Sequence, residues 1–321
     1  MPRKDRAWIS RLMGSYHIMS KVAGGELLFS DADKEYFFEL LERFADAFYV
    51  EVHAFCIMGN HFHILLSGLD DLAAEASKEE LFERYKGLYP GNPIPPLGKF
   101  NSSNEFVPDK DGGVKRLRKR LGNVSCFVGE LKQTYSRWYN KSYNRTGYLW
   151  GGRFKSVITS LGEAQLICST YIDLNPIAAQ IVSKPEEYRW SSLGMRVNSR
   201  KRVSQWLSPI TVTPLGGYTL KDEYGKVIKR EDWFGPTVTP QNTYDYLQLY
   251  REFVYASGQI AEKIGSFIPP GIVEEFELYH TAFGLSDSLL HPEKKRKHTR
   301  PGSLMGSDEN GKRSFSTLFL E

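Results

Sequence analysis

A chain of 321 residues with 41% hydrophobic and 13% aromatic content can form one large or two ordinary domains around a real core. Its net charge of +4 and isoelectric point near 8.7 permit a nucleic-acid partner without demanding one. No apolar run reaches the length of a membrane span and the N-terminus lacks a signal-peptide pattern, which excludes a membrane protein and points to the cytoplasm. Cys56, Cys126 and Cys168 have no metal or paired spacing, and Cys56 and Cys168 fall in predicted elements as buried free thiols.

Residues 1–68 read strand, helix, strand, strand. The first strand is Gly14-Ser15-Tyr16-His17-Ile18. Asp31 or Asp33 caps a helix whose apolar face is Phe37, Leu40, Leu41, Phe44, Ala45 and Phe48. Two apolar runs then flank Gly59-Asn60 and predict a hairpin over Phe55–Leu66. Residues 69–123 read as an inserted segment, with a short charged helix near Lys78–Tyr85 and irregular Pro- and Gly-rich surface structure. Residues 124–195 supply a helix, the strand Phe154–Thr159, a helix capped by Ser160 and ending near Asn175, and a short helix started by Pro176. The fold class is α+β: a ferredoxin-like antiparallel sheet with helices on one face. Residues 196–290 form an accessory region. It holds a hairpin over Leu215–Val227, the helical stripe Tyr246, Leu247, Tyr250, Phe253 and Val254, and a helix around Ile272–Phe283. Residues 291–321, with Lys294-Lys295-Arg296-Lys297, read as a disordered basic tail.

The chemistry sits in two segments. His61 and His63 are two apart on a strand, so both imidazoles project to one face while Phe62 points into packing. Chance surface or core histidines are the bland account of such a pair. Tyr171 and Asn175 are four apart on a helix and share a face. An aromatic on an apolar stripe is the bland account of Tyr171, and a residue ending a helix before proline that of Asn175. Together the four residues form a constellation. Two neutral imidazoles and an amide oxygen can hold a divalent cation with positions open for phosphate and water. A phenol one turn from the third ligand can attack that phosphate, although its ordinary pKa of about 10 means that proton removal must be assisted.

Three ordered motifs carry a family resemblance across residues 8–195. They are Met58–Leu66, Gly147-Tyr148-Leu149-Trp150-Gly151-Gly152-Arg153-Phe154-Lys155-Ser156, and Tyr171-Ile172-Asp173-Leu174-Asn175-Pro176 followed by Tyr188-Arg189-Trp190-Ser191-Ser192. The chain resembles the REP-associated tyrosine transposases among the single-tyrosine HUH transposases. The resemblance implies an HUH endonuclease fold, His61 and His63 as metal ligands, Asn175 as third ligand, Tyr171 as nucleophile, and Mg²⁺ or Mn²⁺ as cofactor. Many relatives carry Gln where this chain has Asn175. The implied activity is cleavage and strand transfer of single-stranded DNA beside a hairpin, with Tyr171 ending on the 5′ phosphate. A replication-initiator or relaxase nuclease and a domesticated noncatalytic DNA-binding protein are the alternatives.

DNA contacts are expected from three places. The helix Val128–Tyr139 interleaves Lys132, Tyr135 and Arg137 as in a single-strand groove, where an amphipathic helix with buried rings is the plain alternative. Arg153 and Lys155 alternate on one strand face beside the site and position phosphates. The inserted run containing Arg116, Arg118, Lys119 and Arg120 can grip a hairpin stem, or simply be solvated.

Overall fold

The computed structural model describes residues 14–89, 91, 98–100, 106–108, 110–159, 163–203, 205–208, 220–221, 227–228, 247, 250–251 and 254–255. Strand β1 spans Ser15–Lys21, helix α1 Asp31–Ala47, and strands β2 and β3 Val50–Ile57 and His61–Gly68. Helices α2 (Asp70–Glu75) and α3 (Lys78–Leu88) follow, then short strands β4 (Gly98–Phe100) and β5 (Phe106–Pro108). Helices α4 (Lys110–Leu121) and α5 (Val124–Ser142) lead to strand β6 (Lys155–Thr159). Helices α6 (Glu163–Asp173) and α7 (Asn175–Ala178) precede a 3₁₀ turn at Pro185–Glu187. Helices α8 (Ser192–Asn198) and α9 (Arg200–Val203) and the strand pair β7 (Leu220–Lys221) and β8 (Val227–Ile228) complete the elements.

The fold is α+β, built on a four-stranded sheet in the order β2-β3-β1-β6 with every neighbour antiparallel. Strand alternation sends Ile18, Phe62, Ile64 and Leu66 to one face. There they meet Phe37 and Phe44 of α1 and Phe127, Leu131 and Tyr135 of α5 in the main core. Phe37 and Phe62 ring centres lie 4.9 Å apart. Fully burying one such ring contributes roughly 1.5–3 kcal/mol. Ala54, Cys56 and Leu65 project to the opposite face, where Cys168 and Ile172 of α6 cover them.

The α+β antiparallel sheet is as expected, with α1 and α5 on one face and α6 added on the other. The physical reason is that β3 is buried on both sides: Phe62, Ile64 and Leu66 lie under one cover, and Leu65 with the His63 imidazole under another. The first helix is capped by Ser30 rather than by Asp31 or Asp33, and Asp33 returns a carboxylate bond to the Ser30 backbone to close a capping box. The inserted segment is more regular than expected. Leu81, Tyr85 and Leu88 of α3 and Leu117 and Leu121 of α4 are buried in the main core.

Asn175 opens α7 instead of ending the preceding helix, which stops at Asp173. Ser160 lies outside the described residues, as do Tyr246, Phe253, the helix expected around Ile272–Phe283 and the tail 291–321. Leu247, Tyr250, Arg251, Val254 and Tyr255 are helical as the stripe predicts. Among the described residues no helix is long and apolar enough to cross a membrane.

Candidate active site

The β2–β3 turn fixes His61. Its Nδ1 lies 2.6 Å from Asn60 Oδ1, while Asn60 Nδ2 donates to the Gly25 carbonyl at 2.7 Å. An amide oxygen can only accept, so His61 carries its proton on Nδ1 and its Nε2 lone pair is the basic end. His63 follows on the same face, with the two ring centres 5.1 Å apart. Its Nδ1 is 2.9 Å from Nε2 of His17, which is fully buried.

Tyr171 reaches this group from α6. Its ring meets His63 at 5.8 Å and His17 at 5.9 Å, edge-on to both. The structure therefore brings together His61, His63 and Tyr171 from segments about a hundred residues apart, and adds His17. Asn175 is tied to the same helix: its amide Nδ2 donates to the Tyr171 carbonyl at 2.8 Å and to the Ile172 carbonyl at 3.3 Å.

Burial governs the electrostatics. It holds His61 down to about 4, with the Lys21 charge adding to the effect. Burial likewise keeps His63 well below the ordinary imidazole range, reinforced by His17 and His61. All three rings are therefore neutral donors at pH 7. Burial pushes the Tyr171 phenol up to about 12, the nearby Cys168 and Cys56 add to this, and a hydrogen bond with the Asn175 side chain opposes it. Cys56 and Cys168 are free, buried thiols, as expected.

Among the described residues no three His, Cys, Asp or Glu side chains are grouped to hold a metal ion. The donor set present, neutral imidazoles plus an amide oxygen, is chemically suited to a divalent cation that keeps other positions for oxygen ligands.

These pKa shifts give an expected stability profile. His17 is held at about 4 by burial against an ordinary 6.5, so the folded protein keeps it neutral where the unfolded chain takes up a proton. Its contribution is fully present above pH 6.5 and is lost as pH falls toward 4. Cation-free protein should lose about 2 kcal/mol from His17 alone between pH 6.5 and pH 5, and His61 acts in the same direction. Urea unfolding in chelator at pH 7 and pH 5 measures this. Equal stability at both would show that the rings are not held neutral by the fold.

Cross-strand register adds two cations. Lys21 is directly opposite His61, and Lys155 is opposite Met19, which is opposite His63. Paired residues of an antiparallel ladder share a face, so exposed Lys21 and Lys155 stand on the sheet face that carries the imidazoles. Arg153 is exposed in the loop before β6 rather than on the strand.

The other expected DNA contacts divide. Tyr135 is fully buried with its hydroxyl donating to the Asp33 carbonyl, and Lys132 is buried with Nζ donating to the Gly152 carbonyl at 2.9 Å. Both point into the core face of α5 and are corrected to structural roles, while Arg137 is exposed. Arg116 and Lys119 are exposed on α4. Arg118 instead donates to the Ala76 carbonyl, and Arg120 pairs with Glu130 at 2.6 Å. The basic run is thus a helix with alternate sides, not a loop, because Leu117 and Leu121 anchor it in the core.

His17 and Lys21 escape a reading of the sequence because their significance lies in register. The detectable signal was the alternation of β1, which places His17 and Lys21 on one face.

No family model matches the chain, and no curated protein matches it. Among solved structures, a chain described as the REP-associated tyrosine transposase bound to a REP hairpin is similar at 12% identity and a TM-score of 0.39. The similarity covers 69% of this chain and 100% of that one. At that level of likeness, the functional reading rests on the geometry of the site itself.

Proposed function

We propose that the protein is a metal-dependent single-stranded DNA endonuclease and strand transferase that works at hairpin DNA through Tyr171. The observation that carries this reading is the Tyr171 ring standing edge-on to His63 at 5.8 Å across the sheet–α6 interface. A nucleophile-bearing helix laid over a histidine pair is suited to phosphoryl transfer, whereas a core tyrosine has no need of two neutral imidazoles against its ring.

His61, His63 and Asn175 would hold Mg²⁺ or Mn²⁺, which when bound polarises phosphoryl oxygens and stabilises developing charge. The Tyr171 oxygen bonds to phosphorus, the bond from phosphorus to the 3′ oxygen breaks, and the phenolic proton is lost as the 3′ hydroxyl gains one. The 5′-phosphotyrosine conserves the phosphodiester for rejoining. Lys21 and Lys155 flank the imidazoles and attract the backbone phosphates on either side.

The test is incubation of the full chain with Mn²⁺ and hairpin-bearing single-stranded oligonucleotides from the DNA flanking its gene. A covalent adduct on denaturing gels is expected. Hairpin binding without any adduct would leave a noncatalytic DNA-binding protein.

Lys21→Gln and Lys155→Gln should each weaken single-strand binding for every sequence. Each lost phosphate contact should also lower the slope of log affinity against log salt by roughly 0.7. Salt titrations with parallel slopes for wild type and both variants would remove these lysines from the DNA path.

A further inference from the structure

Asp173 follows Tyr171 by two residues on α6 and has no solvent exposure. Two residues along an α-helix turn the side chain by roughly 200°, so Asp173 points to the back of the helix while Tyr171 faces the imidazoles. Three donors from two separate parts of the chain meet its carboxylate. Ser192 Oγ at 2.7 Å and the Leu193 amide at 2.9 Å donate to Oδ1, and Tyr250 Oη donates to Oδ2 at 2.6 Å.

Tyr250 is itself buried, and with Val254 and Tyr255 it packs on Leu174, Ile177 and Leu193. A second tie holds the same helical residues. Arg251 pairs with Glu186 at 2.6 Å and Tyr255 donates to the other Glu186 oxygen at 2.9 Å.

A carboxylate taken out of water is costly unless its oxygens are satisfied, and losing one donor leaves that cost uncompensated. The three donors therefore favour one rotation of α6 about its own axis over all others. Apolar packing between Val254 and Leu174 alone would hold the helix down without fixing that rotation, because apolar contacts have no direction.

We propose that Tyr250 and Asp173 form a brace that sets the rotation of α6 and so aims the Tyr171 hydroxyl at the histidine face. Tyr250, Arg251, Val254 and Tyr255 belong to the scaffold of the nucleophile rather than to a separate accessory module. Both Asp173 and Tyr250 are positioning residues. This inference rests on Tyr171 being the nucleophile, but its structural half is measurable without any chemistry.

The test uses the full chain carrying 3-fluorotyrosine at position 171, with and without Tyr250→Phe. Phenylalanine keeps the packed ring and removes only the donor. The fluorine resonance at position 171 is expected to move or split, while the same label at Tyr16, on the opposite sheet face, keeps its resonance. At saturating oligonucleotide the rate of adduct formation should fall about tenfold with unchanged oligonucleotide affinity.

An unmoved resonance at position 171 would overturn the brace. If the wild-type chain forms no adduct, the proposed activity falls and the fluorine measurement still decides the brace. Should Tyr250→Phe not fold, Asp173→Asn keeps the shape of the side chain and weakens the bond from the other end, and an unmoved resonance in that variant overturns the proposal equally.

Discussion

Tyr171→Phe is expected to leave the fold and DNA affinity intact and to remove covalent adduct formation by at least about 10⁴-fold, the scale of losing a nucleophile. The Tyr171 ring packs against the layer formed by Cys56, Leu65, Cys168 and Ile172. Phenylalanine fills the same space, so the cost to stability should stay within about 1 kcal/mol, the size of one hydrogen bond. The expected loss therefore reports the hydroxyl oxygen and not packing. Adduct on denaturing gels and a thermal unfolding midpoint, measured side by side, give both halves of the comparison. Adduct at wild-type yield in the variant would transfer the nucleophile's role elsewhere and end the present reading.

His61→Ala and His63→Ala should each abolish adduct formation and lower Mn²⁺ affinity by at least about 100-fold. The two differ in what else they disturb. His61 is half-buried at the start of β3, where its Nδ1 bonds to the side chain of its neighbour Asn60. Its loss should leave stability nearly unchanged. His63 is buried and bonded to His17, so its removal opens a cavity and costs roughly 2–3 kcal/mol as well. His61→Ala is therefore the cleaner probe of cation binding, read by calorimetric Mn²⁺ titration. Adduct formation that survives in a strong chelator would show that the imidazoles serve packing alone.

Much of this site is legible in the linear chain, because the relevant geometry is local. The two-residue spacing of His61 and His63 places both on one strand face, and the four-residue spacing of Tyr171 and Asn175 joins them along one turn. Those relations hold wherever a strand or helix forms. The α+β class follows in the same way from periodicity within short windows, as do β1, the β2–β3 hairpin and the helical character of Leu247, Tyr250 and Val254.

Other properties depend on partners distant in sequence. Lys132 and Tyr135 sit on an amphipathic helix whose basic and aromatic residues suit a DNA groove or a core equally well. Contact with Asp33 and Gly152 turned both inward. Arg118 and Arg120 look like free charge until Ala76 and Glu130 are brought to them by the packing of α4. His17 and Lys21 acquire neighbours only through the register of β1 against β3, and register is fixed by which apolar faces must be covered. The Asp173 carboxylate gives no local sign of its partners, since Tyr250 lies 77 residues away. Local spacing determined which side chains could act together. Long-range burial decided which of them face the site, because the cost of leaving apolar surface and buried polar groups uncompensated is settled only when the whole sheet and its two helical layers close.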